Sequence, residues 1–133
     1  MSAPPPDDLS FPVIDLPRSA ERSRDEAIRF LVAHLVGAGQ LCEVLTEDAI
    51  RSLIRREQLG STGIGRGVAI PHAKIEEIDQ VAGVIGSSQT GVPWDAVDDR
   101  PVHRICLFLS PREQPGLHLR VLERVARRMQ SGE

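Results

Sequence analysis

The chain has 133 residues, 41% of them apolar, with 19 acidic against 16 basic side chains and a net charge of −3. That length suits one domain with room for a buried core, and the mild acidity disfavours nucleic-acid binding, which needs a concentrated basic surface. Cys42 and Cys106 lie in apolar surroundings without CxxC spacing. Both are expected to be reduced and buried, not disulfide-bonded or metal-bound. No apolar run reaches membrane-spanning length, and the N-terminus lacks the basic-then-apolar pattern of a secretory signal. A soluble, cytoplasmic protein is expected.

The chain opens with a Pro-rich, acidic tail, residues 1–10, expected to be disordered. Phe11–Leu16 adds an extended segment, with Phe11, Val13 and Ile14 directed at the core. Ser23 and Glu26 have capping-box spacing and start a helix. In it Ile28, Leu31, Val32, Leu35 and Val36 recur at helical spacing as one buried face. Gly37 and Gly39 stop it, and His34 falls off the stripe as a surface histidine. Thr46 is placed to cap a second helix, with Glu47 and Asp48 at its positive end. Ala49, Ile50, Leu53 and Ile54 form its apolar face.

That helix runs into the densest stretch of the chain, RREQLGSTGIGRGVAIPHAK, residues 55–74. Its glycines let the backbone turn through left-handed conformations and bring amides close to another group. Pro71 biases Ile70 towards extended backbone, so Val68–Ile70 is a short strand delivering His72. An imidazole beside a Gly/Ser/Thr-rich loop, with Arg56 and Lys74 in the same segment, suits a phosphoryl acceptor. Ser61 and Thr62 either donate to the phosphoryl group or only cap the loop.

Beyond it, Val81–Ser88 is a strand of small residues and Val102–Ser110 a nearly continuous apolar strand, as in a sheet covered on both faces. Gly91–Asp95 and Asp98–Pro101 carry turn chemistry between them. Trp94 is expected to pack over the core edge. A third helix follows Gly116, with Leu119, Leu122, Val125, Ala126 and Met129 as its core stripe and His118 on the same inward face. Helices alternating with strands indicate an α/β fold: a single domain with a central mixed β-sheet flanked by helices.

The stretch from Arg55 to Lys74 resembles the active-site signature of EIIA proteins of the bacterial sugar phosphotransferase system, fructose/mannitol type, and its GSTGIGxGxAIPH form resembles the nitrogen-regulatory branch. The likeness extends more loosely from near Asp25 to near Met129, making residues 11–133 an EIIA-like phosphocarrier domain. The resemblance implies that His72 accepts a phosphoryl group from an HPr-like carrier protein, through Nε2, without metal, nucleotide or other cofactor. It implies Arg56 as the balancing guanidinium, His118 as the second histidine of the site, and Ser61, Thr62, Gly63 and Gly65 as phosphoryl-binding loop residues. Glu57 matches the signature as a tether for Arg56 or the loop. His103 and Arg55 receive no role, and Arg66 is either an exposed partner contact or simply solvated. The downstream partner is a regulatory target bound according to phosphorylation state or, in a transport role, a separate EIIB. A third alternative is an EIIA-like module that is no longer phosphorylated. Direct membrane insertion is not implied. Family members usually continue into at least one more helix, so the chain is expected to be either naturally short or truncated at its C-terminus.

Overall fold

The computed structural model describes residues 11–96 and 98–130; the Pro-rich tail lies outside them. The elements in order are β1 (Val13–Asp15), α1 (Arg24–Gly37), α2 (Thr46–Leu59), β2 (Gly63–Gly65), β3 (Val68–Ala69), β4 (His72–Ile75), β5 (Ala82–Val92), β6 (Val102–Pro111) and α3 (Pro115–Gln130), with single 3-10 turns at Arg18–Glu21 and Glu43–Leu45. The strands form one mixed sheet in the order β1-β5-β6-β3-β2, with β4 also on β6. The fold is α/β, as the alternation of patterns implies.

β6 is the organising strand. It pairs antiparallel with β5 and parallel with both β3 and β4. The two parallel pairings keep one register, Val68 opposite Arg104 and His72 opposite Phe108. β3 and β4 are therefore one extended run along β6, interrupted at Ile70–Pro71, where proline has no N–H for the ladder. Alternate β6 side chains point to opposite faces. Ile105, Leu107 and Leu109 pack with α1 and α2, while Cys106 and Phe108 pack with α3. That two-sided burial explains the unbroken apolar run.

Ser23 caps α1, its hydroxyl accepting from the Glu26 amide at 3.1 Å. Ala27, Ile28, Leu31, Val32 and Leu35 are buried. A fully buried aliphatic side chain of this size contributes about 2 kcal/mol.

Several expectations need correction. Thr46 is the first helical residue and not the cap; its hydroxyl donates to the Glu43 carbonyl of the preceding 3-10 turn at 2.7 Å. β5 runs past Ser88 to Val92, its register shifting between Ser87 and Val92, so part of the supposed turn is strand with a bulge. Trp94 is buried, not at the core edge. On α3 the buried row is Leu117, Val121, Val125 and Met129, and Leu119 is exposed. Four-residue spacing fixes that row, and Leu119 lies off it. Val13 is exposed as well, while Leu16 is buried. Phe11 does reach the sheet, its ring occupying the space a Cβ on Gly83 would need. Cys106 is buried, which pushes its thiol up to about 12, but Cys42 is exposed.

Candidate active site

The fold delivers two histidines to one aromatic platform. His72 opens β4 opposite Phe108 of β6, so neighbouring side chains share a face. The rings stack with centroids 5.4 Å apart and 12° between planes. His118, in the first turns of α3, lies over the same phenyl ring and 5.4 Å from His72. Phe108 is fully buried, His118 nearly so and His72 half-buried.

Hydrogen bonds fix the protonation of His72. Its Nδ1 lies 2.6 Å from the Ile70 carbonyl oxygen. A carbonyl only accepts, so Nδ1 carries the hydrogen and the neutral ring has a bare Nε2. Burial pulls the His72 pKa below the usual histidine range; the Ile70 bond opposes this, and Arg56 and Lys74 add to the lowering. His118 is held lower, at about 4, first by burial and then by the positive charges of His72 and Lys74. Its Nδ1 shares a hydrogen bond with the hydroxyl of Ser110, itself wholly buried. Both rings are neutral at pH 7.

The cleft over them has a volume of about 620 Å³ and is lined by His72, Ala73, Lys74, Ser52, Arg55, Arg56, Leu59, Arg112 and His118. Arg56 is braced by a 2.7 Å bond from its guanidinium to the Gly60 carbonyl, which leaves other N–H groups uncommitted. Arg112 arrives from the far side: β4 pairs parallel with the end of β6, Ile75 opposite Pro111, and the Arg112 guanidinium donates to the Lys74 carbonyl at 3.4 Å. The sequence carried no local signal for Arg112, because only that pairing brings it near His72. Phe108 was likewise legible as core but not as the platform.

Of the expected residues, His72, His118 and Arg56 come together; Ser61, Thr62, Gly63 and Gly65 do not line this cleft. The Thr62 amide and hydroxyl both donate to the carboxylate of Glu57, which is buried and also accepts from the Trp94 indole at 3.2 Å. The Ser61 hydroxyl accepts from the Gly63 amide at 3.0 Å. A Cβ on Gly63 would sit 2.6 Å from that of Ala96, so glycine there permits close packing. Gly65, with φ +93°, belongs to the β2–β3 turn with Arg66, whose φ is also positive. Arg66 is exposed, its amide donating to Asp98. The loop donors thus satisfy a buried carboxylate and a turn, and Glu57 tethers the loop, not Arg56.

Among the described residues, no group of three or more His, Cys, Asp or Glu could hold a metal ion. No helix among them is long and apolar enough to cross a membrane.

Residues 13–133 match the family model described as phosphoenolpyruvate-dependent sugar phosphotransferase system, EIIA 2. A nitrogen regulatory protein of Klebsiella oxytoca is 42% identical over 85 residues, 63% of this chain but only 52% of that protein. One from Bradyrhizobium diazoefficiens is 32% identical over 120 residues, covering 90% of this chain and 76% of the relative. The crystal structure of the nitrogen regulatory protein IIA-Ntr from Neisseria meningitidis superposes with a TM-score of 0.76 at 32% identity, covering 89% of this chain and 77% of that one.

Proposed function

The chain belongs to the EIIA type 2 family of the phosphoenolpyruvate-dependent sugar phosphotransferase system, and from that premise we propose that His72 is its phosphoryl acceptor and residues 11–133 its phosphocarrier domain. The observation that carries this reading is the bond from Nδ1–H of His72 to the Ile70 carbonyl, which leaves Nε2 bare in a cleft rimmed by cations.

The step balances without a proton leaving His72. The Nε2 lone pair forms a bond to phosphorus as the N–P bond of the donor's phosphohistidine breaks. The electron pair of that bond stays on the donor's ring nitrogen, and the donor ring, which carries a hydrogen on its other nitrogen, departs as neutral imidazole. His72 keeps its Nδ1 hydrogen on the Ile70 carbonyl and becomes a phosphoimidazolium. The transition state is loose and spreads charge over the equatorial oxygens, so catalysis is alignment and charge stabilisation. Arg56 faces those oxygens with a guanidinium that can pair with two at once. With Ser110 donating to Nδ1 of His118, the neutral ring carries its proton on Nε2 and gives the phosphoryl group one further hydrogen bond.

The donor is an HPr-like carrier protein. Because relatives in the comparison are nitrogen regulatory proteins, the downstream event proposed is binding of a target protein according to phosphorylation state. A phosphoryl group adds negative charge and acceptor oxygens at the cleft mouth, enough to gate a protein contact. Incubation with phosphoenolpyruvate, Enzyme I and the cognate carrier, read by intact mass, tests the proposal. Wild type should gain one acid-labile phosphoryl group and His72→Ala none. Labelling of neither protein by an active upstream pair would overturn it.

A further inference from the structure

Aromatic rings are scarce in this chain, with three phenylalanines, one tryptophan and no tyrosine. Trp94 is buried and bonded to Glu57, Phe30 packs on the core under α1 and α2, and Phe11 fills the space above Gly83. Among the described residues, Phe108 is the one whose ring meets a histidine, and it meets two. Ile70, Ile85, Leu117 and Val121 of the same buried cluster are aliphatic, a setting that a leucine would fill as well. The ring is also firmly held. It is fully buried, the Phe108 amide donates to the Pro71 carbonyl at 3.1 Å, and its register sets it opposite His72 on β4 and Gly83 on β5.

Phosphoryl transfer changes what lies on that ring. Beforehand His72 is a neutral imidazole, which gains little from the negative face of a phenyl ring. Afterwards, with Nε2 bonded to phosphorus and the Nδ1 hydrogen still on the Ile70 carbonyl, the imidazole carries a positive charge. The two ring centroids are 5.4 Å apart with 12° between planes, inside the distance of about 6 Å over which a ring face attracts a cation. The phenyl face is dry, so water competes little for that charge. His118 lies over the same phenyl ring but is held neutral, with its pKa at about 4, and brings no rival charge. We infer that Phe108 is a positioning residue whose π face stabilises phosphorylated His72 over the unphosphorylated ring and so tilts the transfer equilibrium towards this protein and away from its donor. A bias of this kind suits a protein that acts through its phosphorylated state.

The inference rests on the phosphocarrier reading, and its test separates the two. Phe108→Leu would remove the π face but also open space beneath both histidines. Mono-, di- and pentafluorophenylalanine in place of Phe108 keep the shape and drain the face of negative charge stepwise. The equilibrium ratio of phosphorylated protein to phosphorylated carrier, read by intact mass, should fall in that order, about tenfold in all. The pKa of the phosphorylated His72 ring, followed by nitrogen NMR, should fall in the same order. Its other charged and titratable neighbours, Arg56, Glu57, Lys74 and His118, are common to the whole series. Thermal midpoints should not follow that order. A ratio constant across the series, with wild type accepting from the carrier, would overturn the inference alone and leave Phe108 as packing. Failure of wild type to accept from either the carrier or phosphoramidate would remove the phosphocarrier reading and the inference with it.

Discussion

Two halves of one motif contrast sharply. Ser61–Gly67 and Pro71–Lys74 are adjacent, and by composition the first half looks better equipped to hold an anion, with its hydroxyls and flexible amides. Its Thr62 amide and hydroxyl turn inward instead, onto the buried Glu57 carboxylate, while the Gly63 amide bonds the Ser61 hydroxyl and the Arg66 amide bonds Asp98. The second half, with fewer donors, presents His72 on a strand whose register with Phe108 sets the ring. A buried carboxylate left unpaired is costly, so it claims every donor within reach. The first half therefore holds the structure, and the second carries the proposed phosphoryl acceptor.

Breaking the first half should show in stability. Glu57→Ala leaves the Thr62 and Trp94 donors buried without an acceptor and should cost about 4 kcal/mol in urea unfolding. The surviving folded molecules should still accept phosphate. A normal unfolding midpoint would mean that the loop is held by something other than Glu57.

The second platform histidine sharpens the contrast through pH. The folded pKa of His118 is depressed to about 4, so its neutral form contributes stability that is fully present above 6.5. As pH falls from 6.5 towards 4 the unfolded chain takes up the proton first, and up to about 3 kcal/mol is lost. His72 is lowered too and acts in the same direction. His118→Asn should flatten that part of the stability profile between pH 6.5 and 4; a slope equal to that of wild type would contradict the assignment.

Arg56→Gln probes the proposed chemistry instead. Loss of a preorganised donor facing developing charge should slow phosphoryl acceptance about hundredfold, with thermal stability nearly unchanged because the side chain is on the surface of α2. A rate within a factor of about two of wild type would assign the charge stabilisation to Lys74 or Arg112. The smallest effect is expected from Thr62→Val, which removes one hydroxyl donor to Glu57 and should cost about 1 kcal/mol. Were the hydroxyl a phosphoryl ligand, acceptance would fall with stability little changed.

What the sequence revealed follows from how local each signal is. The Ser23 cap, the two-sided burial of β6 and the presentation of His72 after Pro71 all depend on spacing within a few residues. The phase of α3 was ambiguous because leucines at 117, 119 and 122 belong to overlapping stripes, and only the sheet beneath selects one. The burial of Glu57 could not be read, since its three donors come from two other segments. Gly91 and Pro93 suggested a turn where Val92 continues the strand through a bulge. Arg55 and Arg112 join the cleft only through helix phase and parallel pairing. Composition therefore overstated the loop and understated the cationic rim.

The most direct test of the account is long-range proton–nitrogen and phosphorus–nitrogen NMR on the histidine-labelled, phosphorylated protein. The geometry predicts phosphorus coupled to Nε2 of His72, with the hydrogen on Nδ1 retained and His118 unmodified. Phosphorus on Nδ1 of His72, or on either nitrogen of His118, would contradict the claim that the Ile70 carbonyl selects the reacting atom.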